Sequence, residues 1–253
     1  MKIAIVTGAS SGLGEEFVKS LVREEPGVEA IWLIARRADR LEKLAAAYPE
    51  KRLIPFPLDL TSYDSYEAIR EKLEAEKPEV AVLVNNAGFG TIGDFDQAAL
   101  FTQTRMIDLN NRALTAVTSA ALPYMTAGSR IVNVCSIAAF APNPRMTVYC
   151  STKAYVLSFS KSLRFELKKR GIRVLAVCPG PMDTEFLPVA GIEKGTSHTF
   201  DTLPRTSPAL VASRALKQAA RGRGIYTPRL FFKFYRLIAK LLPHGLVMHM
   251  SKT

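Results

Sequence analysis

Tyr149 and Lys153 stand four residues apart, and Ser136 stands thirteen residues before the tyrosine. Residues four apart on a helix project from one face, so a phenol and an ammonium group at this spacing are neighbours. An ordinary phenol, with a pKa of about 10, holds its proton too firmly for acid–base work near neutrality, and a nearby cation favours its ionised form. Such a pair can deliver a proton to a developing alkoxide, the step needed when a carbonyl is reduced. The Ser136 hydroxyl, just past an apolar run, can hydrogen-bond the carbonyl oxygen. Each feature alone is common, since solvated helices often carry Tyr and Lys four apart and serines often follow strands.

Reduction also needs a hydride source, and the start of the chain offers a place for a nicotinamide dinucleotide. Thr7-Gly8-Ala9-Ser10-Ser11-Gly12-Leu13-Gly14 follows an apolar run and opens a helical pattern. Glycines allow a tight turn and close backbone approach to a pyrophosphate, and a helix N-terminus adds partial positive charge. The spacing is Gly-x3-Gly-x-Gly, different from the Gly-x-Gly-x2-Gly of the familiar Rossmann turn. The second apolar run ends in Arg36-Arg37, where an acidic residue would bind a ribose 2′-hydroxyl. Guanidinium groups suit a 2′-phosphate instead, so NADP(H) is expected over NAD(H). Arg36, nearest the strand end, is the better placed; Arg37 also reads as a solvated helix start.

The elements that must position these groups alternate along the chain. Ile3 to Val6, Ala30 to Ile34, Leu53 to Leu58, Val80 to Val84, Ile131 to Val134, Val174 to Val177 and Ile225 to Thr227 read as strands. The longer runs are apolar at nearly every position, as parallel strands covered on both faces are. Helical patterns at Glu15 to Glu24, Arg40 to Ala47 and Tyr63 to Glu74 lie between them. The order predicts an α/β fold: a Rossmann-like, doubly wound, parallel seven-stranded sheet with helices on both faces. One catalytic domain is expected over 1–228, with a lid at about 181–207 and a C-terminal amphipathic helical extension at 229–253. Ser207-Pro208 reads as an N-cap and first helical position, with Gly222 and Gly224 closing that helix.

Thr7 to Gly14, Asn85-Asn86-Ala87-Gly88, Ser136, Tyr149-x3-Lys153 and Pro179-Gly180 together resemble the classical short-chain dehydrogenases/reductases, in that family's order, from about residue 3 to about residue 227. The resemblance implies that Tyr149 is the acid/base, that Lys153 assists it and holds the nicotinamide ribose, and that Ser136 orients the carbonyl. It assigns a water-mediated proton relay to Asn110 of Asp108-Leu109-Asn110-Asn111, with Asn111 one residue out of register as the alternative. It places NADP(H) against Gly8, Ser10, Ser11, Gly12, Leu13, Gly14, Arg36, Arg37, Asp59, Leu60, Asn86, Ala87, Gly88, Tyr149, Lys153, Pro179, Gly180, Met182 and Thr184. No metal is expected: Cys135, Cys150 and Cys178 show no ligand spacing with His198, His244 or His249 and read as small buried thiols.

The net charge is +11, but no Asp or Glu follows Asp201, whereas ten Lys and Arg do. Setting those ten aside leaves 24 basic against 23 acidic residues, so the excess is local and does not mark a nucleic-acid binder. With an odd number of cysteines and a first strand at the very start, a cytoplasmic, reducing setting without a secretory leader is expected. Arg229, Lys233, Arg236 and Lys240 share one face of a tail helix that is otherwise apolar and aromatic, broken at Pro243. Its basic face can simply be solvated. Segment 229–250 can also rest on the inner face of an anionic membrane, pack over the pocket or a partner in a homodimer or homotetramer, or receive an acidic carrier. The substrate expected is a small-molecule carbonyl or alcohol, hydrophobic and lipid- or steroid-like. A 3-oxoacyl thioester reductase is the alternative enzyme, and a membrane-docked NADP(H)-binding regulatory protein the alternative of another class.

Overall fold

Successive side chains of a strand point to opposite faces, so a strand apolar at every position is stable only when both faces are covered. Strand β1 (Lys2–Thr7) meets this condition. Its Ile3 and Ile5 enter one core with Trp32, Ile69, Leu73 and Val117. Its Ala4 and Val6 enter a second core with Phe17, Leu21, Val211 and Ala215. In the computed structural model, which describes residues 1–192 and 202–250, seven parallel strands form one sheet in the order β3-β2-β1-β4-β5-β6-β7. The others are β2 (Ala30–Ala35), β3 (Arg52–Pro57), β4 (Glu79–Asn85), β5 (Arg130–Val134), β6 (Arg173–Val177) and β7 (Ile225–Tyr226). The chain winds outward from β1 to β3, then returns to β4 on the other side of β1. That reversal leaves a crevice beyond the carboxyl ends of β1 and β4, where ligands of such sheets sit.

Helices α1 (Gly12–Glu24) and α2 (Ala38–Ala46) cover the second core, while α3 (Tyr63–Glu76) covers the first. Helix α4 (Leu100–Ile107) runs through a π-helical turn, Asp108–Arg112, into α5 (Ala113–Ala121). Helix α6 (Thr147–Glu166) packs beside α5 through Leu114, Val156 and Leu157. After β6 come α7 (Phe186–Val189) and α8 (Pro208–Ala220). Helix α8 covers the second core beside α1 through Val211, Ala212 and Leu216.

Local chemistry sets these limits. Ser62 caps α3, its hydroxyl accepting from Asp64 N–H at 3.3 Å. At α8 the expected N-cap Ser207 and first-position Pro208 are in place, but Ser207 makes no side-chain cap bond. The other end closes on Gly222 at φ 69°, with Gly222 N–H to the Ala219 carbonyl and Arg223 N–H to the Gln218 carbonyl. This pair of bonds is a Schellman closure. Strand ends fall one residue short of expectation at β3 and β7, within the ordinary fraying of boundaries. Of the expected lid at 181–207, residues 193–201 lie outside the described residues, as do 251–253 and therefore His198.

The tail forms α9 (Leu230–Leu241) and α10 (His244–Met250), broken at Leu242-Pro243. Phe232 and Ala239 face inward and are buried. The apolar side is too broad for one contact, so Leu230 (81%), Phe234 (64%) and Leu241 (68%) remain exposed. Among the described residues, no helix is long and apolar enough to cross a membrane.

Phe17, wholly buried between α1 and the sheet, tests this packing. Phe17→Ala should lower stability by about 3–5 kcal/mol, read as a lower urea midpoint with an unchanged slope.

Candidate active site

Two halves meet at the crevice, and each is assembled from short-range hydrogen bonds between elements remote in sequence. In the first half, α1 presses its opening turn against the end of β1. A Cβ on Gly14 would stand 2.0 Å from the Gly8 carbonyl oxygen, a backbone atom that cannot move aside cheaply. Gly14 is therefore a packing glycine, and it is the one expected cofactor residue that does not line the cavity. Gly8, at φ 67°, donates its N–H to the Ile34 carbonyl at 2.7 Å. The Thr7 hydroxyl accepts from the N–H groups of Asn86 and Ala87, each at 3.0 Å, and the Asn86 amide donates back to Thr7 O at 3.0 Å. These bonds hold the glycine turn of β1 against the end of β4.

In the second half, Ser136 lies two residues beyond β5 and caps a short 3₁₀ turn, Ile137–Ala139, accepting from Ala138 N–H at 3.1 Å. Tyr149 and Lys153 lie one turn apart on α6, with Lys153 Nζ 5.7 Å from the Tyr149 ring centre. Lys153 Nζ donates to the Val134 carbonyl at 3.1 Å, and the Cys135 thiol meets Lys153 O at 3.1 Å. The Asn110 amide donates to Phe89 O (2.9 Å) and Thr152 Oγ1 (3.0 Å), while its oxygen accepts from Phe89 N–H (3.0 Å). Asn111 donates to Thr152 O at 2.9 Å. The π-turn thus points both asparagines at the turn of α6 that carries Tyr149 and Lys153; π-turns are frequent at functional sites. Asn110 is buried behind the cavity and does not line it.

A single cavity of about 860 Å³ joins the two halves. With the exception of Gly14, all the expected cofactor residues line it, as does Ser136. Arg36 is exposed at its rim. Arg37 instead turns inward, donating to Ser10 Oγ at 3.1 Å and Ser11 Oγ at 2.8 Å. Further wall residues escaped the sequence reading. Phe89 and Phe186 are two, and the Phe186 ring lies 5.7 Å from that of Tyr149. Phe232 and Tyr235 of α9 are two more. A Cβ on Gly180 would stand 2.2 Å from the Phe232 ring, so Gly180 makes the room in which the tail docks. Only the run of apolar residues in the tail signals these last contacts.

Burial dominates the electrostatics of the site. It pushes the Tyr149 phenol well above its ordinary range, against a hydrogen bond from Ser136 that draws it down. Burial also lowers the Lys153 ammonium. Lowering of the phenol by Lys153, expected from the four-residue spacing, is therefore not what the cavity itself imposes: desolvation is the larger effect. Burial works to raise the Asp59 carboxyl too, but hydrogen bonds from Thr61 and the charges of Arg36 and Arg105 hold it below its usual range. Cys135, Cys150 and Cys178 are free and buried, and no cluster able to hold a metal occurs among the described residues.

Residues 2–192 match the family model described as short chain dehydrogenase. The chain is 31% identical to a short-chain dehydrogenase from Sphingobium yanoikuyae solved in complex with NADPH, with a TM-score of 0.81 over 98% of this chain and 95% of that one. It is 28% identical to the bulky-bulky ketone specific alcohol dehydrogenase from Comamonas testosteroni, with a TM-score of 0.77 over 98% and 94%. Against the probable oxidoreductase EphD of Mycobacterium tuberculosis it is 33% identical over 192 residues, which cover 74% of this chain but 32% of that longer protein.

The Tyr149 environment makes a pH prediction. Burial favours the neutral phenol, so in nucleotide-free protein Tyr149 should hold its proton past the ordinary value of 10.0. Its phenolate absorbance should appear only above that pH and be missing from Tyr149→Phe; a Tyr149-dependent step at lower pH would show that burial does not set the phenol.

Proposed function

Because the chain belongs to the short-chain dehydrogenase family, we propose that it is an NADP(H)-dependent oxidoreductase interconverting a ketone or aldehyde with an alcohol on a bulky, hydrophobic, lipid- or steroid-like molecule. One observation carries this reading: Ser136, Tyr149 and Lys153 converge on a cavity that is continuous with the glycine turn at one end and walled by aromatic side chains at the other. The residues fit a dinucleotide. Gly8 and Gly14 leave the turn without side chains, and Ser10, Ser11 and Arg37 set hydroxyl and guanidinium donors beside it. Neighbours solved with NADPH and specific for bulky ketones support the cofactor and the substrate size.

A bound NADPH would supply the hydride to the carbonyl carbon. Ser136 donates a hydrogen bond to the carbonyl oxygen, and the Tyr149 hydroxyl passes its proton to the alkoxide as negative charge develops there. The neutral phenol is the state reduction needs; burial opposes its ionisation, and the Lys153 ammonium beside it favours that ionisation as the proton leaves. Lys153 stabilises the phenolate left behind. Asn110, buried behind the cavity, acts on the proton relay as a positioning residue, tying the α6 turn at Thr152 to the backbone of Phe89. Phe89, Phe186, Phe232 and Tyr235 exclude water and favour an apolar substrate.

The tail supplies part of that wall, and we assign its outer side to an anionic membrane surface. Leu230, Phe234, Leu237 and Leu241 form an exposed apolar ridge, with Lys233 and Lys240 exposed beside it and no acidic residue after Asp201. This combination suits a helix lying in the interface.

NADPH oxidation over a panel of ketones, quinones and acyl thioesters tests the chemistry. Turnover should occur with hydrophobic ketones, use NADH poorly and fall about 10²- to 10⁴-fold in Tyr149→Phe. Turnover confined to acyl thioesters would favour the thioester reductase, and NADPH binding without turnover the regulatory protein. Flotation tests the tail: the full chain should rise with vesicles containing anionic phospholipid, and Phe234→Glu with Leu241→Glu should not. Equal flotation of both would remove the membrane assignment.

A further inference from the structure

Arg37, one of the two arginines expected at a 2′-phosphate, already holds an anion, and it shares that anion with Arg40. Glu185, from the segment between β6 and α7, lines the cavity and divides its carboxylate between two guanidinium groups. One oxygen accepts from Arg37 Nη1 at 3.0 Å and the other from Arg40 Nη1. Arg40 lies one turn beyond Arg37, on α2. The same Arg37 reaches Ser10 and Ser11 of the glycine turn with its remaining nitrogens. Arg40 and Arg37 hold the Glu185 carboxyl down to about 2, so it is an anion at any pH at which the protein would be assayed.

A carboxylate offers a guanidinium fork two acceptor oxygens and one negative charge. A phosphate monoester offers three oxygens and up to two charges, and takes the same donors. Two anions cannot share the same donors without strong repulsion. Glu185 is also chained to the chemistry, because the next residue, Phe186, lays its ring against Tyr149 and lines the cavity. The α7 turn that begins there is held by Leu187 N–H to Thr184 O at 3.2 Å and Ala190 N–H to Phe186 O at 2.9 Å.

The geometry points to Glu185 as a specificity-determining residue: its carboxylate stands in for the 2′-phosphate between Arg37 and Arg40, so that NADP(H) must displace it and thereby loosens the Phe186 turn over Tyr149. A cofactor with a 2′-hydroxyl has no charge with which to displace it and leaves that turn shut. This inference rests on the NADP(H) reading above and deepens it, since the choice between cofactors becomes coupled to access at the substrate end. The coupling is a difference in affinity between two states of one segment, and a ligand shifts such an equilibrium only through that difference.

The test uses fragments that carry no nicotinamide. Binding of adenosine 2′,5′-bisphosphate and of adenosine 5′-monophosphate is measured by calorimetry for wild type and Glu185→Gln, a substitution at an exposed site. The variant should bind the bisphosphate, and NADPH, about 2- to 5-fold more tightly, the scale expected for exposed ion pairs. Binding of the monophosphate and NADH should be unchanged. In wild type the bisphosphate should speed hydrogen exchange at the amides of Leu187 and Ala190, and the monophosphate should not. No gain in the variant, an equal gain for both fragments, a loss, or exchange that ignores the bisphosphate would each overturn the role of Glu185. If wild type does not prefer the bisphosphate at all, the NADP(H) reading fails and Glu185 falls with it. A retained preference with no effect of the variant removes Glu185 alone.

Discussion

The close approach of α1 to the end of β1 is the constraint on which the rest of the molecule depends. Gly14 meets the Gly8 carbonyl with no room for a side chain, which brings the helix N-terminus to the mouth of the crevice and draws the end of β4 in through Thr7 and Asn86. A wider approach would separate the helix N-terminus from the turn and remove the partial positive charge that an anion can use. The same packing orients Ser10 and Ser11 toward Arg37. A backbone contact at the start of the chain thereby organises side chains from the cap of α2 and from the segment after β6.

The second half of the site is fixed by a different means. Three separate elements, the end of β5, the π-turn and α6, are tied together through buried polar groups that would be costly to leave unpaired. Asn110 and Asn111 both spend their amides on Thr152, and Cys135 and Val134 both meet Lys153. The result is a platform whose titratable groups are buried. Burial, more than any neighbouring charge, sets the Tyr149 phenol, and it also makes the groups sensitive to whatever charge enters the cavity.

Much of this was legible in the residues. The strand pattern follows from apolar runs covered on both faces, and the Schellman closure of α8 follows from Gly222 at its end. Tyr149, Lys153, Ser136 and the glycine turn could be named because their spacing encodes local geometry: one helical turn, or one tight bend after a strand. Gly14 was named with the turn, yet its reason is contact with a backbone atom six residues earlier, which motif spacing records without explaining. Nearness to the strand end favoured Arg36 over Arg37, and that spacing could not show that Arg37 is the one reaching Ser10 and Ser11. Adjacent side chains at a strand end diverge, and which one turns inward depends on Ser10, Ser11 and Glu185 being there to receive it.

By itself, then, the sequence determined the architecture, the family's signature residues and the local excess of positive charge in the tail, because periodicity and short-range spacing are properties of consecutive residues. Only the tertiary structure decided that Phe186, Phe232 and Tyr235 wall one cavity and that Glu185 reaches the arginines of α2 and its cap. It also decided that one side of the tail helix packs inward beneath Gly180 while its apolar ridge stays exposed. The reason is physical: these contacts join residues from about 40 to about 150 positions apart or set one face of a helix against another, and nothing in the local pattern records which surface will arrive opposite.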